Sequence, residues 1–275
     1  MAFPPGHFYS PIVDAADPFV IQAVRDRTAA PLPPGVNLNL PRMQDTLRKF
    51  AVHHSNWPFA ARKESNHRFY YDNPFFGCHD ASIYFSVLLE YRPRRVIEIG
   101  TGFTSCLLLD TNETFLNGKV GISLIDPSMD RLRDLTDARG LSCARLIERR
   151  LQEMPAEFFE QLGANDILFI DSSHVVKTGS DVNYYLFEIL PRLAPGVLVH
   201  IHDILYPFEY PEGWVTGEKR SWNEAYAVRA FLQYNSAFEI LYWNNFVYHR
   251  SGELLAQLMP LCMENEGGSL WLRKL

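Results

Sequence analysis

Residues 95–105 read Arg-Val-Ile-Glu-Ile-Gly-Thr-Gly-Phe-Thr-Ser, and no other stretch limits the fold of this chain so narrowly. A short apolar run carries one acid, Glu98, and breaks at Gly100 and Gly102. From Phe103 to Asp110 the spacing predicts a helix. The pattern is a buried strand feeding a tight turn whose backbone presses against a ligand, because a Cβ at either glycine would hold that ligand away. A nucleotide-like cofactor is expected here. These residues alone do not say which one.

From residue 95 onward, strand and helix alternate. Strands are expected at 95–99, 120–125, 143–148, 166–170 and 196–201, with helices at 103–115, 128–138, 155–162 and 179–193 between them. Near-continuous apolar strands separated by helices predict a parallel sheet covered on both faces. A long loop, Tyr206 to Trp214, leads to a helix at 222–234, a strand at 237–243, a helix near 252–258 and a strand at 269–273. Upstream, residues 1–41 are rich in proline and read as an irregular arm with one short helix at 17–27. A helix follows over 42–54, and Asp80 is placed to cap another that carries Ile83, Phe85, Leu88 and Leu89. The expected division is an N-terminal arm and helical extension over 1–79, serving as lid or dimer contact, and an α/β domain over 80–275.

With 275 residues and 47% hydrophobic composition, the chain can bury a full-sized core. A net charge of −6 without a basic face argues against a nucleic-acid partner. The four cysteines are far apart and form no C-x-x-C pair, so free thiols are expected, with Cys106 and Cys143 buried. The N-terminus lacks a charged region followed by an apolar stretch, and no run approaches 18 apolar residues. No membrane contact and a cytoplasmic location are the expectation.

A dinucleotide fingerprint asks for a third glycine at position 105, where Ser105 stands. Asp126 closes the second strand, where an acid accepts hydrogen bonds from ribose hydroxyls. Gly-x-Gly with a downstream acid is shared by binders of NAD, FAD and S-adenosylmethionine. Taken together, Glu98 before Gly100, Asp126-Pro127 after strand two, Asp171 after strand four and a closing pair of strands resemble the class I S-adenosylmethionine-dependent methyltransferases. The resemblance covers roughly residues 80–275 and is similar in detail to the methyltransferase domain 24 subgroup. There, segments resembling Phe8-Tyr-Ser-Pro, Ile170-Asp-Ser-Ser-His and His200-Ile-His-Asp recur. It implies a seven-stranded Rossmann-like sheet, mostly parallel with a C-terminal antiparallel strand. It also implies that Glu98, Gly100, Thr101 and Gly102 hold the methionine end of the cofactor, with Asp171 nearby. Asp126 would hold the ribose, and Gln152, beside Leu151, the adenine.

In a parallel sheet the carboxyl ends of strands four and five open onto one edge, beside the first-strand turn. Asp171, His174, His202 and Asp203 should therefore converge where a transferable methyl group points. A neutral hydroxyl is a poor nucleophile, so methyl transfer to oxygen needs a base or a metal that lowers the hydroxyl pKa. His174 or His202 suits the first device, with Asp171 beside them. Asp171 and Asp203 are hard oxygen ligands suited to Mg²⁺. The catechol-type, macrolide-sugar and cephalosporin-hydroxylase-like relatives hold Mg²⁺ with an acid after strand four and an acidic pair after strand five. Here His202-Asp203 occupies the pair's place, and His202 would suit a softer divalent metal better. Metal-assisted and metal-free chemistry both remain open. His200 lies two residues deeper and reads as a core histidine.

The aromatic segments Phe69 to Asn73 and Tyr206 to Trp214 are placed to form a lid or to pack the arm, and Trp222-Asn223-Glu224, opening the next helix, is expected to face the same pocket. The resulting expectation is methyl transfer to a hydroxyl of a small molecule, a secondary metabolite or sugar. N-methylation, or hydroxylase-like or cyclase chemistry on the same fold, are the alternatives. The arm folds over the site or crosses to a partner subunit, so a homodimer is one arrangement it allows.

Overall fold

The computed structural model describes residues 2–29, 31–64 and 66–275. Seven strands form: β1 Arg95–Ile99, β2 Gly121–Ile125, β3 Arg145–Ile147, β4 Ile167–Ile170, β5 Leu198–Ile201, β6 Phe238–Trp243 and β7 Leu270–Lys274. Every residue of β4 and β5 is buried, as befits inner strands covered on both faces. The sheet order is β3-β2-β1-β4-β5-β7-β6. Strands β1 to β5 are mutually parallel, and β7 runs antiparallel to both β5 and β6. Each strand falls within a residue or two of its expected place.

That order fixes where a ligand can sit. β1 pairs with β2 on one side and β4 on the other. The chain therefore winds outward from β1 to β3, then returns to the opposite side of β1. The crevice beyond the carboxyl ends of β1 and β4 is the switch point at which open α/β sheets bind ligands.

The helices are α1 Pro18–Arg25, α2 Leu40–His54, α3 Cys78–Tyr91, α4 Phe103–Phe115, α5 Asp130–Leu135, α6 Ala138–Ser142, α7 Asp181–Tyr184, α8 Glu224–Leu232, α9 Asn244–Arg250 and α10 Gly252–Leu258. Several differ from expectation. The helix predicted over 128–138 is divided, because Thr136 is extended and Asp137 restarts the turn by accepting the Gly140 N–H. The one predicted over 179–193 is α-helical only in α7. A π turn, Tyr185–Ile189, and a 3₁₀ turn, Leu190–Arg192, complete it, and Pro191 withholds the donor that a regular helix would need. Helix α9, directly after β6, was not expected. The segment expected as helix over 155–162 is a 3₁₀ turn, Ala156–Gln161.

Asp80 is not the cap of α3. Gly77 holds that position, while Asp80 accepts the Gly268 and Ser269 N–H groups and the Asn244 amide. It thereby ties α3 to the start of β7. All four cysteines are free thiols, but Cys143 is exposed rather than buried. No helix of the described residues is long and apolar enough to cross a membrane.

Candidate active site at the switch point

The glycine turn is held by side chains on three sides. Gly100 has φ +81°, a backbone region that disfavours any residue with a Cβ, and a Cβ there would collide with the Asp171 carbonyl. The requirement for glycine thus comes from the end of β4, not from a ligand as the sequence suggested. A Cβ on Gly102 would come 3.1 Å from Cδ of Arg131. Asp126 accepts from the Thr101 N–H at 2.8 Å, the Thr101 hydroxyl at 3.1 Å and the Ser128 N–H at 2.8 Å. It joins the turn after β1 to the turn after β2.

Ser105 explains the absent third glycine. Its hydroxyl accepts the Gly102 N–H at 3.1 Å and donates to Glu98 Oε1 at 2.7 Å. Thr104 donates to the same oxygen at 2.5 Å. Glu98 is fully buried, and burial pushes its carboxyl up to about 8 against the pull of those two hydroxyls. It lines neither of the cavities described below, so its partners are the turn itself.

Two cavities meet at Gly100, Asp126, Asp171, Ser172 and Ser173. The first, of about 480 Å³, runs along the ends of β1, β2 and β4 and is lined by Ile99, Ile125, Pro127, Leu151 and Gln152. Gln152 bridges its far side, donating from Nε2 to the Gly179 carbonyl at 2.7 Å. The second, of about 660 Å³, holds Thr101, Arg131, His174, His202, Asp203 and the rings of Phe75, Trp214 and Trp222. Asp171 sits on the wall between them.

The strand-end cluster converges as its placement predicted. Nε2 of His174 lies 3.4 Å from Asp171 Oδ1 and 3.8 Å from Asp203 Oδ2, and Nε2 of His202 lies 3.6 Å from Asp203 Oδ1. His174 (φ +60°) and Asp203 (φ +55°) both occupy the left-handed region, which costs about 1–3 kcal/mol each. Surrounding contacts hold them there. His200 is a core residue, stacked on Phe169 at 3.7 Å and bonded to the Ser269 hydroxyl at 2.8 Å. Burial places its pKa well below the ordinary value.

Glu224, at the start of α8, belongs to the segment expected to face the pocket, although the sequence assigns it no role. Its side chain is 1% exposed, and Oε2 lies 2.7 Å from His174 Nδ1. Oε1 accepts from the Ser172 hydroxyl at 2.6 Å and the Tyr185 hydroxyl at 2.7 Å. Trp222 closes over the ring of His174 with centroids 4.2 Å apart. Burial works against a charge on His174, but Asp171 and Glu224 outweigh it and hold the ring well above the ordinary histidine value. For Asp171, burial works upward, yet the His174 contact, His202 and Arg131 hold the carboxyl below its usual range. Asp203 moves the other way. Burial raises it, with Asp171 and Asp80 adding to the rise against His202 and His174. His202 is raised because Asp203, Asp171 and Asp80 together exceed its burial penalty.

Among the described residues, no three His, Cys, Asp or Glu side chains are gathered to hold a metal ion. The His174 ring stands between the Asp171 and Asp203 carboxylates. Asp171, His202 and Asp203 are not drawn together as a three-ligand set in this arrangement. Of the aromatic segments, Phe69, Tyr206, Phe208 and Tyr210 are buried packing residues, while Phe75 and Trp214 reach the second cavity.

A parallel sheet reversed only at β7, with paired cavities at its switch point, defines the Rossmann-like methyltransferase class. Residues 97–204 match the model of a methyltransferase domain family, Methyltransf_24. An uncharacterized protein of Archaeoglobus fulgidus is 34% identical over 176 residues, 60% of this chain and 76% of that protein. The O-methyltransferase TomG from Streptomyces achromogenes, solved with S-adenosylmethionine, aligns over 87% of this chain and 91% of its own at 14% identity and a TM-score of 0.45. The apo structure of CmcI-N160 aligns over 73% of this chain and 72% of its own at 15% identity and a TM-score of 0.43. The segment of residues 97–204 is thus a methyltransferase domain, set in a sheet of the Rossmann-like methyltransferase fold.

Proposed function

We propose that the protein methylates a hydroxyl group of a small molecule, with His174 as the general base and Glu224 as the residue that orients it. The observation that carries this reading is the Glu224–His174 pair, with His174 on the wall of the second cavity beside Asp171, where the two cavities meet. The first cavity suits S-adenosylmethionine: its volume is within the range of cofactor sites, and acids flank a turn that brings backbone close. Bound there, the cofactor would supply an electrophilic methyl group. Asp126 would accept from the ribose, Leu151 and Gln152 would flank the adenine, and Gly100 would approach the methionine portion, with Thr101 on the side of the second cavity and Gly102, which lines neither cavity, shaping the turn. Glu98 acts behind the turn, fixing its shape through Thr104 and Ser105.

The acceptor occupies the second cavity. With Nδ1–H donating to Glu224, the lone pair of Nε2 faces the cavity and takes the hydroxyl proton. Asp171 and Asp203 stabilise the imidazolium that results, and Glu224 fixes the tautomer, the logic of a carboxylate-oriented histidine. His202 serves as a secondary charge beside Asp203. The arm over residues 1–79 acts as a cover, consistent with Pro74 and Phe75 on the cavity wall and with the Arg25–Glu212 and Arg27–Glu266 ion pairs.

The test is transfer of labelled methyl from S-adenosylmethionine to a panel of small hydroxylated and aminated compounds. The reading expects label on oxygen, lost in His174→Gln. Label on nitrogen, undiminished in that variant, would overturn it.

A further inference from the structure

The second cavity carries cationic groups that the methyl-transfer chemistry does not use. Its wall holds Asp171, Asp203 and His174, the last backed by Glu224. The same wall holds two arginines. The guanidinium of Arg220 lies 4.3 Å from the Trp214 ring centre and 4.5 Å from that of Trp222, stacked on both indoles. Glu218 fixes it further, its Oε2 accepting from Nε at 2.6 Å and pairing with Nη2 at 2.5 Å, so that the Nη1 edge is the one left for a ligand. Arg220 is therefore held in place before any ligand arrives, which lowers the entropy lost on binding. Arg131 stands 4.0 Å over the ring of Phe75. Among the described residues its guanidinium makes no hydrogen bond or ion pair, and its influence on Asp171 is electrostatic.

We propose that the acceptor carries an anionic oxygen group, a carboxylate or phosphate, opposite its reactive hydroxyl, and that Arg131 and Arg220 receive it. The proposal rests on the reading of this cavity as the acceptor site. Guanidinium forks match the paired oxygens of both anions. The Asp171 and Asp203 carboxylates repel the same group, so the anion turns to the arginines and the hydroxyl turns toward His174. The aromatic edges of Phe75, Trp214 and Trp222 cover an apolar body between the two ends.

The experiment is calorimetry on the full chain saturated with S-adenosylhomocysteine. It is titrated with 4-hydroxybenzoate, 4-hydroxyphenyl phosphate and the neutral 4-hydroxybenzamide, for wild type, Arg131→Gln and Arg220→Gln. Thermal unfolding checks that each variant is folded. The two anions should bind at least about tenfold more tightly than the amide, a difference of about 1.4 kcal/mol. Each variant should remove most of that preference while leaving the affinity for S-adenosylhomocysteine unchanged. The tighter of the two anions identifies the group received. Equal affinity for the amide, binding of none of the three probes, or a preference that survives both substitutions would overturn the proposal. So would weakened S-adenosylhomocysteine binding in Arg131→Gln, which would assign that arginine to the cofactor. Failure of wild type to bind S-adenosylhomocysteine at all would instead overturn the underlying reading.

Discussion

Nδ1 of His174 and Oε2 of Glu224 lie 2.7 Å apart across 50 residues of sequence. On the proposed reading the carboxylate fixes which ring nitrogen carries the proton and leaves the other for the acceptor. Glu224→Gln keeps the size of the side chain and removes its charge. It should lower kcat by roughly 10- to 100-fold with KM little changed, while His174→Gln should cost about 10²–10⁴-fold. Initial rates on any methylated acceptor decide this. A Glu224→Gln enzyme with the wild-type kcat would remove Glu224 from the mechanism.

The pH dependence follows from the same pair. Asp171, Asp203 and Glu224 face His174 and, against its burial, hold it charged above the ordinary value of 6.5. A base must first lose that proton, so kcat should rise with pH, with its acidic limb above 6.5. In Glu224→Gln the limb should move to lower pH. Stability has the opposite sign. The contribution from charged His174 is complete below its unfolded pKa and fades as pH rises through the higher folded one. Rate profiles and unfolding midpoints measured between about pH 5 and 10 would separate the two trends. A wild-type limb below 6.5 would contradict this account.

Gly100→Ala tests whether the turn depends on β4. The substitution forces an L-residue to φ +81° and drives its Cβ into the Asp171 carbonyl. A loss of about 2 kcal/mol or more is expected, read as a lowered unfolding midpoint in denaturant. A midpoint matching wild type would show that the turn can adjust freely.

Metal removal is a sharper question. Nε2 of His174 lies within 3.8 Å of both the Asp171 and Asp203 carboxylates, so on taking the hydroxyl proton the ring would supply the positive charge that a divalent ion would otherwise bring. Turnover should therefore persist in EDTA within about twofold. Activity abolished by EDTA and restored by Mg²⁺ would show that the cluster rearranges around an ion.

The strands were legible because runs such as Val96–Ile99 and Ile167–Ile170 are apolar at nearly every position and are bounded by turns. Convergence of Asp171, His174, His202 and Asp203 followed from strand order alone. Glu224 was legible only as part of a segment facing the pocket, not as the partner of His174. A glutamate in the first turn of a helix ordinarily answers the helix dipole at the surface. Docking of the start of α8 on the loop after β4, where the Glu224 N–H donates to the His174 carbonyl, is what buries it against that ring. Ser105 carried a signal in the opposite direction, since its absent glycine looked like a weakened fingerprint. In the fold its hydroxyl links Glu98 to the Gly102 N–H. The break in the helix predicted over 179–193 was signalled by Pro191, while the burial pattern around it came only from tertiary contacts.

Calorimetric titration with S-adenosylhomocysteine and, separately, with NAD tests the central claim most directly. The account predicts saturable binding of S-adenosylhomocysteine, weakened at least about tenfold in Asp126→Ala, and no comparable response to NAD. Tight binding of NAD with no response to S-adenosylhomocysteine would contradict it.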